Sequence, residues 1–255
     1  MSGIALIVGS GLLEFASAFE PVATPEARTA SSYGAPSEPP RRGRVAGQDV
    51  LLLARHGTPH RIAPHLINYR ANLDLLARLG AESVIALNTV GAIDAALAPG
   101  TVVVPHQLID YTWGREQSFS TPEHLIHVDF TEPYDAGLRR QLLDAARVSG
   151  IAVADGGVYG CVQGPRFETA AEIDRMERDG CTLVGMTGMP EAGLARERGL
   201  RYAALALVVN PAAGRAEHAI DIPTIEAVSR AGMRDVERLL IALFERLELG
   251  ETVDQ

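Results

Sequence analysis

Short apolar runs alternate along the chain with longer segments in which apolar residues recur every three or four positions. The short runs are rich in Val, Ile and Leu, as buried strands are, whereas the longer segments have the period of amphipathic helices. The predicted strands cover residues 4–8, 50–54, 83–88, 101–105, 156–163, 181–186 and 202–210. The predicted helices cover residues 67–80, 136–150, 169–180, 190–199 and 225–247.

Glycines mark the ends of the first four predicted helices, at Gly80, Gly150, Gly180 and Gly199. A glycine in this place is common because it accepts the left-handed conformation that closes a last helical turn. Strands that alternate with helices predict an α/β fold with a mixed, mostly parallel central sheet flanked by helices on both faces. The chain length fits one large domain, so we expect a single domain over residues 1–255.

Charge and composition narrow the classes of partner. The net charge is −9, and the only basic cluster, Arg41–Arg44, lies in a polar connection over residues 16–47 that we predict to be a solvated loop. A nucleic-acid partner is not expected, because phosphate backbones require clustered Lys and Arg. No apolar run reaches the roughly 20 residues that span a membrane, so no membrane partner is expected. Cys161 and Cys181 are flanked by apolar residues and are expected to stay reduced, which favours a cytoplasmic location.

Polar residues follow three of the predicted strands, at the edge where open α/β sheets bind ligands. Ser10 lies between two glycines and is typical of a small anion nest, or of a plain tight turn. Arg55 and His56 end the next strand, and an Arg fork beside a His that donates, and can be charged, favours a phosphate clamp. Asn88 and Thr89 follow the third strand, where a simple turn is the alternative.

A fourth strand is followed by Phe167 and Glu168 at the start of a helix. Thr169 with Glu172 three residues later forms a predicted capping box, which places Glu168 at the mouth of the helix rather than inside it. The last two strand ends carry Met186 with Thr187, and Asn210. Together the strand ends offer donors for one phosphate and polar groups for one flat heterocycle.

Three classes of function compete for these residues. A phosphorolytic enzyme would use all of them, whereas a nucleoside-binding regulator has no need of a complete phosphate site. A histidine phosphatase, in which His56 of the RHG segment would be the nucleophile, accounts only for Arg55 and His56. A metal site is not expected, because His56, His60 and His65 lack a clustered carboxylate or cysteine partner at metal-like spacing.

The segments GSGL, ARHG, NYRAN, QGPRFET, GMTGMPEA and VVN occur in this order, and with them the chain resembles the trimeric purine nucleoside phosphorylase and methylthioadenosine phosphorylase family. The resemblance implies one α/β domain, a homotrimer, inorganic phosphate as co-substrate, and no metal or organic cofactor. It implies phosphate binding by Ser10, Arg55, His56, Asn88, Thr89 and Thr187. It implies nucleoside contacts from Phe167, Glu168, Met186, Asn210, Ala212, Ile222 and Ile225, with His127 reaching into the neighbouring subunit's 5' pocket.

Two positions depart from the family pattern. Gly188 stands where the family usually has a hydroxyl residue, and Thr89 stands where a smaller residue is common, so the finer phosphate geometry is open. The resemblance implies that Arg55 and His56 position the phosphate, while Asn210 donates to N7 or O6 of the departing purine.

The residues expected at the base and at the 5' group predict the substrate class. Asn210 and Ala212 stand where an adenine-specific enzyme has acids, and Glu168 can accept from N1–H, so a 6-oxopurine is favoured. Ile222 and Ile225 offer no partner for a 5'-hydroxyl but suit a methylthio group. Methylthioinosine is therefore the expected substrate, with methylthioadenosine and ordinary purine nucleosides as alternatives.

Overall fold

The computed structural model describes residues 3–9, 19–22, 31–217 and 220–249, in which one sheet is flanked by five α-helices. The strands are β1 (Gly3–Val8), β2 (Glu20–Pro21), β3 (Arg41–Val45), β4 (Gln48–Ala54), β5 (Ala81–Ala92), β6 (Val102–Val104), β7 (Gln107–Asp110), β8 (Val153–Asp155), β9 (Val158–Cys161), β10 (Leu183–Gly185) and β11 (Arg201–Pro211). The helices are α1 (Tyr69–Arg78), α2 (Ala136–Ser149), α3 (Ala170–Arg178), α4 (Glu191–Glu197) and α5 (Ile222–Glu248).

The sheet runs in the order β2-β3-β4-β1-β5-β10-β9-β7, and β5 also pairs with β11, which continues through β6 to β8. The pairs β1–β4, β1–β5, β5–β11, β9–β10, β7–β9 and β6–β8 are parallel. The pairs β2–β3, β3–β4, β5–β10 and β6–β11 are antiparallel. The predicted mixed, mostly parallel sheet is therefore confirmed.

Helices cover both faces of the sheet, as alternation along each strand requires. Ile4, Leu6 and Val8 of β1 pack on one side in a buried cluster with α2 and α5. Ala5 and Ile7 point to the other side and pack in a second cluster with α1 and α4. None of the described helices is both long enough and apolar enough to cross a membrane.

The helix ends follow the local signals in the sequence. The glycines at positions 80, 150, 180 and 199 all have positive φ, between 68° and 96°. At the start of α3 the Thr169 side chain accepts from the backbone N–H of Glu172, and the Glu172 side chain accepts from the backbone N–H of Thr169. The predicted helix ends and the predicted capping box are thus confirmed.

The Arg41–Arg44 segment differs from the prediction, because it belongs to β3 and pairs antiparallel with β4 instead of forming a loop. Val45 of this strand is fully buried, and a Cβ added to Gly43 would lie 2.4 Å from the Phe19 ring. The prediction was wrong because a strand with only one buried side has too few apolar residues to show an apolar run. Two other strands, β7 and β8, were also not predicted from the sequence.

The longest pair of strands, β5 and β11, brings two of the candidate segments side by side. β5 extends to Ala92, four residues beyond the predicted end at residue 88. The register shifts between Val208 and Asn210, so Val209 bulges and Asn210 lies opposite Gly91. Bulges of this kind re-aim the side chain that follows them and are frequent beside active sites.

Candidate active site

A cavity of about 970 Å³ lies at the carboxyl ends of β1, β4, β5, β10 and β11 and extends to the first turns of α5. Most of the predicted site residues line it: Arg55, His56, Thr89, Phe167, Glu168, Met186, Thr187, Asn210, Ala212, Ile222 and Ile225. Asn88 and His127 do not line it. Ser10 lies outside the described residues, so its predicted role stays a prediction.

Arg55 is held at the end of β4 by a buried ion pair with Glu191, the first residue of α4. Nε and Nη2 of Arg55 donate to the two carboxylate oxygens at 2.7 and 2.9 Å, and neither side chain is more than 1% exposed. The hydroxyl of Tyr202 donates to Oε1 of Glu191 at 2.9 Å. The third guanidinium nitrogen, Nη1, donates to the carbonyl of Leu87 at 3.3 Å.

This arrangement limits how Arg55 can meet a phosphate, because Glu191 occupies the Nε–Nη2 side of its guanidinium. Nε has given its one hydrogen to Glu191, whereas Nη1 and Nη2 each keep a second hydrogen that can be donated to an anion. Burial acts to lower the pKa of Arg55, but the charge and hydrogen bonds of Glu191 outweigh it and raise the pKa above its ordinary value. Arg55 therefore stays charged and rigid whether or not an anion is bound.

His56 is buried beside Arg55 and is neutral near pH 7. Burial, then the charge of Arg55, lowers its pKa to about 4, although a backbone hydrogen bond at Ile62 acts in the opposite direction. Its Nδ1 lies 2.7 Å from the carbonyl oxygen of Ile62, and its ring stacks on that of His60 at 4.2 Å between centroids. Because a carbonyl only accepts, Nδ1 carries the hydrogen, and Nε2 of neutral His56 is an acceptor. The predicted role of His56 in binding phosphate stays a prediction, and at neutral pH the ring offers an acceptor at Nε2.

Asn88 does not line the cavity itself but is bound to Thr187, which does. Its Nδ2 donates to Oγ1 of Thr187 at 2.9 Å, and Asn88 is 2% exposed. Thr187 lines the cavity at the end of β10, directly after Met186. The predicted phosphate contact of Asn88 stays a prediction, and in the structure its amide orients the hydroxyl of Thr187.

Asn210 and Glu168 form the polar part of the opposite end of the cavity. Nδ2 of Asn210 donates to the carbonyl of Pro211 at 2.6 Å, which fixes the amide and leaves its second hydrogen available. Glu168 is half-buried before α3, and burial raises the pKa of its carboxyl above the ordinary value. Ala212 is buried, whereas Phe167 is 41% exposed at the rim. This end can hold a planar group by its edge and one face.

The first turns of α5 form the third wall. Ile222 and Ile225, the residues that the resemblance implies for the 5' pocket, both line the cavity. They share the first turn of α5 because this helix begins at Ile222 rather than at the predicted residue 225. Glu226, Ser229 and Arg230 line the cavity from the same helix. The side of α5 that faces the cavity is thus apolar in its first turn and polar in the next. The two isoleucines alone did not predict these polar residues.

His127 is exposed and lies in a loop apart from the cavity of its own chain. The neighbouring Leu125 and Val128 are also exposed, at 68% and 39%. Its predicted place in a neighbouring subunit's site stays a prediction.

Sequence reasoning missed Glu191. In the sequence Glu191 shows only as an acid among apolar residues, in GMPEAG, at the start of a helix. An acid in this place is also typical of an exposed helix start, so the sequence does not indicate a buried partner for Arg55.

The two cysteines are buried and unpaired. Within the part of the chain that the structure describes, no three His, Cys, Asp or Glu side chains are grouped so as to hold a metal ion.

Comparison with known proteins gives concordant matches. Residues 3–245 match the family model described as the phosphorylase superfamily. The chain is 53% identical over 210 residues to the "Probable S-methyl-5'-thioinosine phosphorylase" of Pseudomonas syringae pv. tomato, which covers 82% of this chain and 85% of that protein. It is 38% identical over 252 residues to the 6-oxopurine nucleoside phosphorylase of Pyrococcus furiosus, covering 95% and 92%. A solved structure of methylthioadenosine phosphorylase from Schistosoma mansoni with adenine has a TM-score of 0.87 at 30% identity, covering 98% of this chain and 92% of that one.

Proposed function

This chain belongs to the phosphorylase superfamily, and on that premise we propose that it cleaves S-methyl-5'-thioinosine with inorganic phosphate to hypoxanthine and 5-methylthioribose 1-phosphate. One observation carries the proposal. A single cavity combines an anion end, formed by Arg55, His56 and Thr187, with a base end in which an amide and a carboxylate, Asn210 and Glu168, stand together.

The reaction is a pentosyl transfer that needs no covalent enzyme intermediate. The C1'–N9 bond breaks with its electron pair going to the purine, and a phosphate oxygen forms the new bond to C1'. Positive charge builds on the sugar and negative charge on the base, so the site must hold phosphate close to C1' and neutralise the leaving group. Nη1 of Arg55 and the hydroxyl of Thr187 position the phosphate, while the free amide hydrogen of Asn210 donates to N7 or O6.

The base end favours a 6-oxopurine over adenine. A 6-oxopurine offers acceptors at N7 and O6 and a donor at N1–H, which matches the amide of Asn210 and an ionised Glu168. Adenine has a lone pair at N1 that would face the carboxylate, and Ala212 offers no acceptor for its amino group. Since mismatched buried hydrogen-bonding groups are rejected strongly, we expect methylthioinosine to be preferred over methylthioadenosine by at least ~100-fold.

The test is release of hypoxanthine from methylthioinosine, measured with and without phosphate. Wild-type enzyme should require phosphate, and Asn210→Asp should narrow or invert the ratio of kcat/KM between methylthioinosine and methylthioadenosine while leaving the phosphate KM unchanged. Equal cleavage of both nucleosides by wild type would refute the base assignment only. Hydrolysis of p-nitrophenyl phosphate without any phosphorolysis would instead support the histidine phosphatase.

We also propose that the chain acts as a homotrimer. Support comes from His127, which is exposed and does not line the cavity of its own chain. Leu125 and Trp113 add to it, because they are large apolar residues that are 68% and 71% exposed. We propose that residues 1–255 act as one domain. We also propose that phosphate is the only co-reactant, because the mechanism uses no metal or organic cofactor.

The buried, unpaired cysteines support a cytoplasmic location.

A further inference from the structure

Tyr159 in β9 is fully buried, yet its hydroxyl has no hydrogen-bond partner among the described residues. A buried hydroxyl without a partner is destabilising, so the position needs an explanation. No residue of the proposed mechanism accounts for it.

The tyrosine ring lies against the backbone between Gly185 and Gly188, the segment that presents Met186 and Thr187 to the cavity. A Cβ added to Gly185 would lie 2.1 Å from the Tyr159 hydroxyl, and one added to Gly188 would lie 3.2 Å from Cε1 of the ring. Any side chain at residue 185 would therefore collide with the hydroxyl. Two glycines leave room for the ring beneath the phosphate-binding segment.

The hydroxyl of Thr187 can accept one more hydrogen bond than the one that Asn88 donates to it. A hydroxyl has one hydrogen to donate and two lone pairs to accept. Nδ2 of Asn88 fills one lone pair of Thr187 Oγ1, at 2.9 Å. Thr187 lies in the chain between Gly185 and Gly188, which both pack on the Tyr159 ring. Burial raises the pKa of Tyr159, whereas donation from the backbone N–H and the hydroxyl of Thr187 toward the phenol oxygen acts to lower it.

We propose that Tyr159 is a positioning residue for Thr187: on phosphate binding, the Tyr159 hydroxyl donates to the second lone pair of Oγ1, so that the single hydrogen of Thr187 points to the phosphate. The proposal rests on the proposed phosphorolysis. It also gives the buried phenol a partner in the bound state, in which Asn88 and Tyr159 together fix the direction of the one donor that Thr187 has.

Tyr134 provides a matched control for the loss of a buried phenol oxygen. It is 2% exposed and its hydroxyl also has no partner among the described residues. Its ring stacks on Tyr202 at 6.0 Å between centroids and does not lie against Gly185 or Gly188. Tyr134→Phe therefore removes the same atom from a second buried phenol near Tyr159, whose own ring is not in contact with the glycines that flank Thr187.

The experiment measures the KM for phosphate and the KM for methylthioinosine separately. Tyr159→Phe should raise the phosphate KM about fivefold to tenfold, the effect of one hydrogen bond, with the nucleoside KM changed less than twofold. Tyr134→Phe should leave both constants within twofold. In a Thr187→Val background, Tyr159→Phe should have no further effect, because the partner hydroxyl is already gone.

Three outcomes would overturn the proposal: an unchanged phosphate KM in Tyr159→Phe, an equal effect of Tyr134→Phe, or the same rise in the Thr187→Val background. Gly188→Ala provides a second approach, since its Cβ would press on the Tyr159 ring without removing the hydroxyl; it should also raise the phosphate KM, and no rise would count against the proposal. A wild-type enzyme that does not need phosphate would refute the proposed function itself, independently of every variant.

Discussion

The buried pair of Arg55 and Glu191 gives a sharp test of how the anion end is built. Glu191→Gln keeps the size of the side chain but removes its charge. Arg55 does not lose its proton in compensation, because a guanidinium stays protonated in proteins even without a carboxylate partner. The variant therefore leaves a charged guanidinium at a site where the native side chains are at most 1% exposed.

The magnitude follows from what the carboxylate contacts. It accepts from Arg55 at 2.7 and 2.9 Å and from Tyr202 at 2.9 Å, and the amide of a glutamine turns one of these acceptors into a donor that faces a donor. Removing one partner of a buried pair costs about 3–5 kcal/mol of unfolding free energy. Tyr202→Phe keeps both charges and loses one hydrogen bond to a charged group, about 1.5–3 kcal/mol.

The assay is urea unfolding at one fixed protein concentration, with and without phosphate. Asp49→Asn is the exposed control, since the Arg44–Asp49 pair at 3.1 Å is more than half exposed and is worth at most about 1 kcal/mol. Phosphate should stabilise Glu191→Gln more than wild type, because the anion then supplies the missing counter-charge to Arg55. A loss below that of Tyr202→Phe, or no extra effect of phosphate, would refute the reasoning.

Three other changes test the remaining walls of the cavity. His56→Gln should raise the phosphate KM less than His56→Asn does, because the glutamine amide reaches the position of Nε2, whereas the asparagine amide reaches that of Nδ1. A larger rise in His56→Gln than in His56→Asn would show that Nδ1 meets the anion. The kcat/KM for methylthioinosine should fall as the pH falls through the raised pKa of Glu168, since only the carboxylate accepts N1–H, and Glu168→Gln should flatten that profile. Ile222→His should increase the kcat/KM for inosine relative to methylthioinosine by giving the 5'-hydroxyl a partner; an unchanged ratio would place the 5' group elsewhere.

The sequence predicts the frame of the site well, because the strands that end in the cavity are buried on both faces. The runs at residues 4–8, 50–54 and 202–210 show no polar interruption, so their carboxyl ends, and the polar residues that follow, are visible without a structure. β3 has one buried side, and Arg41–Arg44 therefore has the composition of a loop.

The contacts among the site residues could not be predicted in the same way. Arg55 and Glu191 are separated by 136 positions, and either side chain alone is typical of a surface residue or a ligand contact. Asn88 and Thr187 are separated by 99 positions, and only the packing of β5 against β10 shows which of them faces the cavity. A family resemblance indicates which residues lie together at the site. Which of them face the cavity and which support those that do depends on the directions of the side chains, which the sequence does not show.

The hydrogen bond from His56 to the carbonyl of Ile62 has a consequence for the choice among tetrahedral anions. With Nδ1 holding the hydrogen, Nε2 can pair with an anion that carries its own O–H, as both phosphate ions present near neutral pH do. Sulfate carries no hydrogen, so it would have to bind beside a lone pair or bring His56 to its charged form. With a pKa of about 4, that second route costs roughly 4 kcal/mol at pH 7. Sulfate should therefore be a poor competitor of phosphate at neutral pH, and a better one as the pH falls.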